Sequence, residues 1–542
     1  MNDPTHHGVV LMAVVPAVAG LLCVPLVNQR KACRAIGTLG FLTTTTLAVW
    51  LLFEAAGRGG TLVTQMGDWG APYGITLVFD ALSGLMLAAA SLVALGCYVH
   101  SFGSLPARTE RRYYHPMVCF LMLGVNLSFL TGDLFNLFVA FEIMLMASYG
   151  LLVIGGGKAQ LRQAYKYVVM NLLASSVFVI AAGMAYGMLG TLNVADLGRR
   201  AQELAAADAL PAGFTALGVL FLFVFTVKAA VFPLWFWLPD TYPTCPIAVS
   251  ALFGGVLTKV GLYAIARTFP GVFLAGDAAA VLTPILVVGA AMTMFVGVLG
   301  ALAYTSIRRV LSLLIIVGVG YALLGISVGS GGSLGGAAFY MAQSMVVLAG
   351  LFLACGLIER KFGTDDTARL GGLIARRDVR GVAMLGVVVF VGLMGVVGLP
   401  PTAGFYGKLV VLRESLSPPF RGAGLVGLGV GALTLLAALR LWTTTFYGPP
   451  EVGGASGDAV ESAEDQRPKL TEWFAMLLLF VASVGIGVAP EPMMATARAA
   501  GQQVASPDAY RAAVLDNPAY RRPPASDDTH HDGHAGGDAH HD

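Results

Sequence analysis

The stretch Phe221-Leu222-Phe223-Val224-Phe225-Thr226-Val227-Lys228-Ala229-Ala230-Val231-Phe232-Pro233 holds two features at odds with each other. Its apolar run, continued on both sides over 212–238, is long enough to cross a bilayer, which takes about 20 mostly apolar residues. Yet a lysine stands near its middle, and Pro233 removes a backbone donor and interrupts the helix. Unwound backbone at membrane depth is tolerated only where protein or water satisfies the freed groups. The segment therefore reads as a broken membrane helix that lines a protein interior.

The rest of the chain has the same character. Of its 542 residues 56% are hydrophobic and only 12% charged, against about 25% charged in soluble domains. A net charge of +2, with no basic stripe among aromatics, gives no reason to expect nucleic acid. Apolar runs fall at 8–27, 34–53, 75–99, 113–131, 133–154, 164–188, 212–238, 245–267, 279–304, 309–329, 333–358, 381–413, 422–446 and 471–490. The expected fold class is an all-α polytopic membrane protein of about fourteen transmembrane helices. Residues 1–490 form its membrane domain, and 491–542 a polar, disordered C-terminal tail. The start, Met1 to Gly8, lacks the basic region of a cleaved signal peptide, so the first run reads as a span. The twelfth run carries a second break, at Gly398-Leu399-Pro400-Pro401. Breaks in corresponding places of two halves point to a transport pathway. Five spans separate Pro233 from Pro400 and Pro401, which fits two inverted five-helix repeats. Spans 4–8 (about 113–267) and 9–13 (about 279–446) would be the repeats, with broken helices 7 and 12.

Basic residues cluster in the odd loops: Arg30, Lys31 and Arg34; Arg108, Arg111 and Arg112; Lys158 and Arg162; Arg308 and Arg309; Arg360, Lys361, Arg369, Arg376, Arg377 and Arg380; Arg467 and Lys469. Even loops are poorer, with Arg58 in the second and Arg267 in the eighth. The positive-inside rule then puts odd loops in the cytoplasm and both termini outside. None of the six cysteines forms a C-x-x-C pair, so neither an iron–sulfur cluster nor structural zinc is expected, and no cofactor is implied. The tail histidines, His530, His531, His534, His540 and His541, read as a solvated tail or a loose metal-binding tract. The remaining histidines, His6, His7, His100 and His115, lie near span ends.

Four charges lie where charges are expensive: Glu142, Lys228, Lys259 and Lys408. Each costs at least about 2.5–3.5 kcal/mol at mid-bilayer and is functional by default. The chain has only eight lysines, so three inside spans is not random placement. A lysine stem can snorkel to the headgroups, and a Glu–Lys pair can simply lock two helices. The functional alternative is proton chemistry: burial disfavours an ammonium and a nearby carboxylate favours it, so its proton can be loaded and unloaded. A membrane-embedded transferase would need histidine or paired acids at one membrane face, which the spans lack. A scaffolding role would be indifferent to loss of the lysines.

The run from Lys228 through Pro239, continuing to Ser250-Ala251 and Lys259-Val260-Gly261, resembles the signature of the antiporter-like subunits of respiratory complex I and Mrp-type sodium/proton antiporters. The helix Phe135 to Glu142, running on to Ser148-Tyr149, is similar to the same family. Trp235 and Tyr242 stand where complex I versions usually have histidine, and Asp68 to Ile75 and Ser250 to Lys259 resemble the D-type branch of the Mrp subunits. The resemblance implies a glutamate–lysine pair at Glu142 and Lys228, a central lysine at Lys259 and a terminal ionisable residue at Lys408. Gln343 and Leu348 stand where relatives carry ionisable residues. The relay from Lys259 to Lys408 would then use water, Ser312, Tyr340, Gln343 and Ser344. It further implies a secondary transporter rather than an enzyme, a bacterial plasma membrane, and partners A, B, C, E, F and G of an Mrp assembly. A proton-pumping component of complex I or of a membrane-bound hydrogenase is the alternative.

Overall fold

The computed structural model describes residues 4–57, 60–375, 381–449 and 468–516. Arg58, Arg376, Arg377, Arg380, Arg467 and the five tail histidines lie outside them.

The order is α1 (Pro4–Cys23), α2 (Arg30–Gly57), β1 (Thr61–Gln65), β2 (Thr76–Asp80), α3 (Ala81–Ser104), α4 (Ala107–Thr109), α5 (His115–Leu130), α6 (Leu134–Val153), α7 (Lys158–Leu189) and α8 (Val194–Ala206). The first broken segment follows as α9 (Phe214–Ala229) and α10 (Leu238–Thr241), then α11 (Ile247–Thr268), α12 (Ala278–Ala303), α13 (Ile307–Val328), α14 (Gly331–Phe362) and α15 (Thr367–Leu370). The second is α16 (Val382–Val397) and α17 (Ala403–Ser415), followed by α18 (Arg421–Phe446), α19 (Leu470–Val488), α20 (Glu491–Ala505) and α21 (Asp508–Leu515). Among the described residues twelve helices are long and apolar enough to cross a membrane, and two shorter apolar helices, α9 and α16, lead into the breaks.

Two expectations are corrected. Residues 75–80 do not begin a span; Thr76–Asp80 pairs antiparallel with Thr61–Gln65, because both runs are rich in the β-branched residues that suit a pleat. Residues 491–515 are not a disordered tail. Helix α20 seats Gly501 against the backbone of Gly331 and Gly335 in α14, and α21 sends Arg511 to the carbonyl of Gly271 at 2.9 Å. Low hydropathy hid these helices, and α20 packs along the first turns of α14.

Helix α11 is the axis of the molecule. Its small residues let neighbours close in: Gly254 faces Ile315 and Phe352, Gly255 faces Val93 and the carbonyl of Met345, and Gly261 faces the backbone of α9 at Ala229. At its last turn Arg267 makes a bidentate pair with Asp80, at 2.6 and 2.8 Å. The guanidinium lies 5.3 Å from the Tyr263 ring centroid and 5.1 Å from that of Tyr510. Asp80 also caps α3 by accepting from the Ser83 amide at 2.9 Å. One pair thus ties the ribbon, α3, α11 and α21 together. Opposite charge clusters hold the other face: Arg30 and Arg34 on Glu110, Arg308 on Glu359, and Arg360 on Glu472.

An isolated backbone bridge joins Asp133 to Asn193 on the ribbon face, and another joins Ser306 to Asp366 on the opposite face. Their flanking bonds match: Leu134 N–H to Leu192 O and Ile307 N–H to Asp365 O, each 2.9 Å, with Val194 N–H to Gly132 O and Thr367 N–H to Thr305 O beside them. Every residue of the second bridge is offset along the chain by the same amount from its counterpart in the first.

Burial works against the Asp80 carboxylate, but Arg267 and the capping hydrogen bonds outweigh it and hold its carboxyl below the usual range. A depressed carboxylate contributes stability above its unfolded value and loses it as pH falls through the folded one. Asp80→Asn leaves Arg267 buried and unpaired, so it should cost about 3–5 kcal/mol. A lowered thermal midpoint of the purified protein, with a weaker loss of stability on acidification than wild type, checks this.

Candidate functional site

The first break has a local cause. Ala230 turns into the left-handed region (φ 58°), the amide of Val231 caps back onto Thr226 O at 3.0 Å, and Pro233 has no donor with which to continue. The amide of Phe232, freed by the break, is taken by Thr293 Oγ1 of α12 at 2.9 Å. Lys228 stands in the last turn of α9, where the negative end of the helix dipole favours a cation. Its ammonium reaches α7, 3.3 Å from Ser175 Oγ and 3.5 Å from Asn171 O. Ser175 in turn donates to Glu142 Oε1. The glutamate and lysine are therefore linked through a serine rather than in direct contact. Glu142 is half-buried on α6.

Ser175 belongs to a polar stripe on α7: Gln163, Tyr167, Asn171 and Ser175 recur every fourth residue, the spacing that stacks side chains on one helix face. The Tyr167 and Ser148 hydroxyls lie 3.1 Å apart. Tyr149 Oη, Trp237 Nε1 and Tyr242 Oη, buried around the same aromatic cluster, have no protein partner among the described residues.

Lys259 lies at the centre of α11, 3% exposed, and donates to Gly254 O at 3.0 Å. The second break is built differently. Gly398 adopts φ 86°, a conformation that glycine takes without steric cost, and α16 stops there. Lys408 lies beyond this break, on α17, and turns back so that its ammonium donates to Val396 O at 2.8 Å and Val397 O at 2.9 Å. Its nitrogen is 4.2 Å from the Tyr321 ring centroid and 5.8 Å from that of Tyr340. Snorkelling fails for all three lysines, which are 3–5% exposed and held by interior oxygens.

Of the relay residues expected between Lys259 and Lys408, two reach the neighbourhood of Lys408. Tyr340 contributes its ring, and Gln343 lies over Gly404 with neither amide atom bonded to protein among the described residues. The other two are spent locally: Ser312 donates to Arg308 O and Ser344 to Met341 O, each at 2.8 Å. Sequence reading missed Asn171, Ser175 and Tyr321. The every-fourth-residue spacing along α7 would have found the first two. Nothing in the sequence singled out Tyr321.

These groups are buried clusters of ionisable and polar side chains inside a polytopic helix bundle. The chain belongs to the transmembrane family described as NADH:quinone oxidoreductase/Mrp antiporter, whose profile matches residues 131–423. It is 36% identical over 508 residues to the D subunit of the Na(+)/H(+) antiporter of Alkalihalophilus pseudofirmus, covering 94% of this chain and 99% of that one. It is 33% identical over 516 residues to the protein of the same name in Bacillus subtilis, covering 94% and 99%. A chain in the structure of the Mrp complex from a Dietzia species superposes with a TM-score of 0.84 at 29% identity, over 95% of this chain and 100% of that one. A chain of respiratory complex I from Thermus thermophilus shares the fold, with a TM-score of 0.75 at 23% identity over 92% and 99%.

A side chain at Gly404 would overlap the carbonyl of Gly395 across the second break. Gly404→Ala should therefore force α16 and α17 apart at a cost of about 1–3 kcal/mol, read as a lower thermal midpoint of the purified protein.

Proposed function

We propose that this chain is the proton-translocating subunit of a multisubunit sodium/proton antiporter in a bacterial plasma membrane, working with partners of the A, B, C, E, F and G types. The observation that carries the reading is the link Glu142–Ser175–Lys228, set at the end of the polar stripe on α7. A carboxylate and an amine bridged by a hydroxyl can exchange a proton without a free charge ever standing alone in low dielectric. The route runs from Glu142 and Lys228 to Lys259 and then to Lys408. In the second half Tyr340 and Gln343 stand near the path, and Ser312 and Ser344 flank it. The half-buried Glu142 is placed to meet water or a neighbouring protein of the assembly.

The reading counts fourteen crossings, with each broken segment taken as one. The two matching backbone bridges on opposite faces support two inverted five-helix repeats, α5 to α11 and α12 to α18. The positive-inside pattern supports a cytoplasmic Arg308–Glu359 face with both termini outside. The named relatives favour an antiporter assembly over a redox-driven pump. Co-purification of a flavin and iron–sulfur arm would favour the pump instead.

In membrane vesicles holding the assembled complex, Lys228→Ala or Glu142→Ala should abolish sodium-driven proton movement, followed by a pH-sensitive dye. Unchanged exchange would reject the assignment. Ser175→Ala should slow exchange by about tenfold or more, because a hydrogen bond to a charged group is worth about 1.5–3 kcal/mol.

A further inference from the structure

The three buried lysines are held by different kinds of partner. Lys228 has a carboxylate one hydroxyl away, and Lys259 has one carbonyl. Lys408 has two carbonyls at the end of a helix, and no described Asp or Glu forms an ion pair with it. Helix α16 stops at Gly398, so its last carbonyls lack amide partners within the helix and form the negative end of its dipole. Val396 O and Val397 O point at the ammonium, and the faces of Tyr321 and Tyr340 stand over it. Gln343 is 1% exposed, and neither Oε1 nor Nε2 has a partner among the described residues. Its Nε2 lies 3.3 Å from the position a Cβ on Gly404 would take. The position of a Cβ on Gly398 lies 3.2 Å from Gly404 O and 2.9 Å from Lys408 Cδ. The orphan amide and the lysine stem therefore flank the same backbone.

We propose that this nest of Val396 O and Val397 O beneath the Tyr321 and Tyr340 rings, with the unpartnered Gln343 amide beside it to turn its oxygen in, is a binding site for a dehydrated monovalent cation, of which the Lys408 ammonium is the tethered occupant. Backbone carbonyls at a half-helix C-terminus are ligands suited to such an ion. An alkali cation carries the same charge as the ammonium, so entry of the ion as the tethered amine gives up its proton leaves the buried charge unchanged. A divalent ion would need carboxylates to balance it, and the nest supplies none. Ammonium and free cation are mutually exclusive, because both require the same two carbonyls. The choice of sodium as the probe rests on the antiporter reading; the nest itself does not.

The test uses the purified assembled complex and equilibrium dialysis against radioactive sodium. Lys408→Met, which keeps the stem and removes the charge, should retain sodium that wild type and Lys408→Arg do not. Adding Gln343→Leu to Lys408→Met should weaken that binding about tenfold, the loss of one oxygen ligand. If Lys408→Met does not assemble, Lys408→Gln serves in its place. No extra sodium in an assembled neutral variant overturns the proposal, as does binding that Gln343→Leu leaves unchanged. Wild-type exchange measured on the same preparation separates the two readings. Exchange without extra sodium in the variant removes only the cation nest. Extra sodium in a complex whose wild type does not exchange leaves the nest standing and removes the antiporter reading.

Discussion

Two apolar helices stop inside the bundle, and the side chains around them answer what their severed ends require. A broken helix exposes amides on one side of the break and carbonyls on the other, and lipid can satisfy neither. At the first break the amide of Phe232 is met by the hydroxyl of Thr293. At the second the carbonyls of Val396 and Val397 are met by an ammonium. A cation buried at a helix C-terminus is thus part of how the fold tolerates its own interruption.

The two halves solve the same problem with opposite placements. Lys228 precedes its break and turns outward to α7, where Ser175 connects it to Glu142. Lys408 follows its break and turns inward to the helix that has just ended. Lys228 has a carboxylate one hydroxyl away, whereas Lys408 donates only to neutral carbonyl oxygens. Matching backbone bridges stand on the two faces, so the same local frame accompanies both arrangements.

Rigidity around the line comes from α11. Its glycines let the backbones of α9 and α14 and the side chains of α3 and α13 close in, and the Arg267–Asp80 pair anchors its end to α3, to the β-ribbon and to the C-terminal helices. Close packing of this kind holds the lysines against their partners, which matters because a buried charge displaced from them has no water to fall back on.

The membrane character, the two breaks, the four costly charges and most helix positions were legible from sequence, because each is a local property: a run of apolar residues, a proline, a lysine among hydrophobics. So was the family resemblance, which rests on contiguous motifs around Lys228 and Lys259. What the lysines touch was not legible. Ser175 is separated from Lys228 by more than fifty residues, and Tyr321 meets Lys408 only because α13 packs beside the second break. The helices after Pro490 were missed because their overall hydropathy is low, although Met494, Ala497, Ala500 and Val504 recur on one buried face of α20. Local chemistry marks where a membrane chain must bury a charge; only the packing of distant helices decides whether its partner is a carboxylate, a carbonyl or an aromatic face.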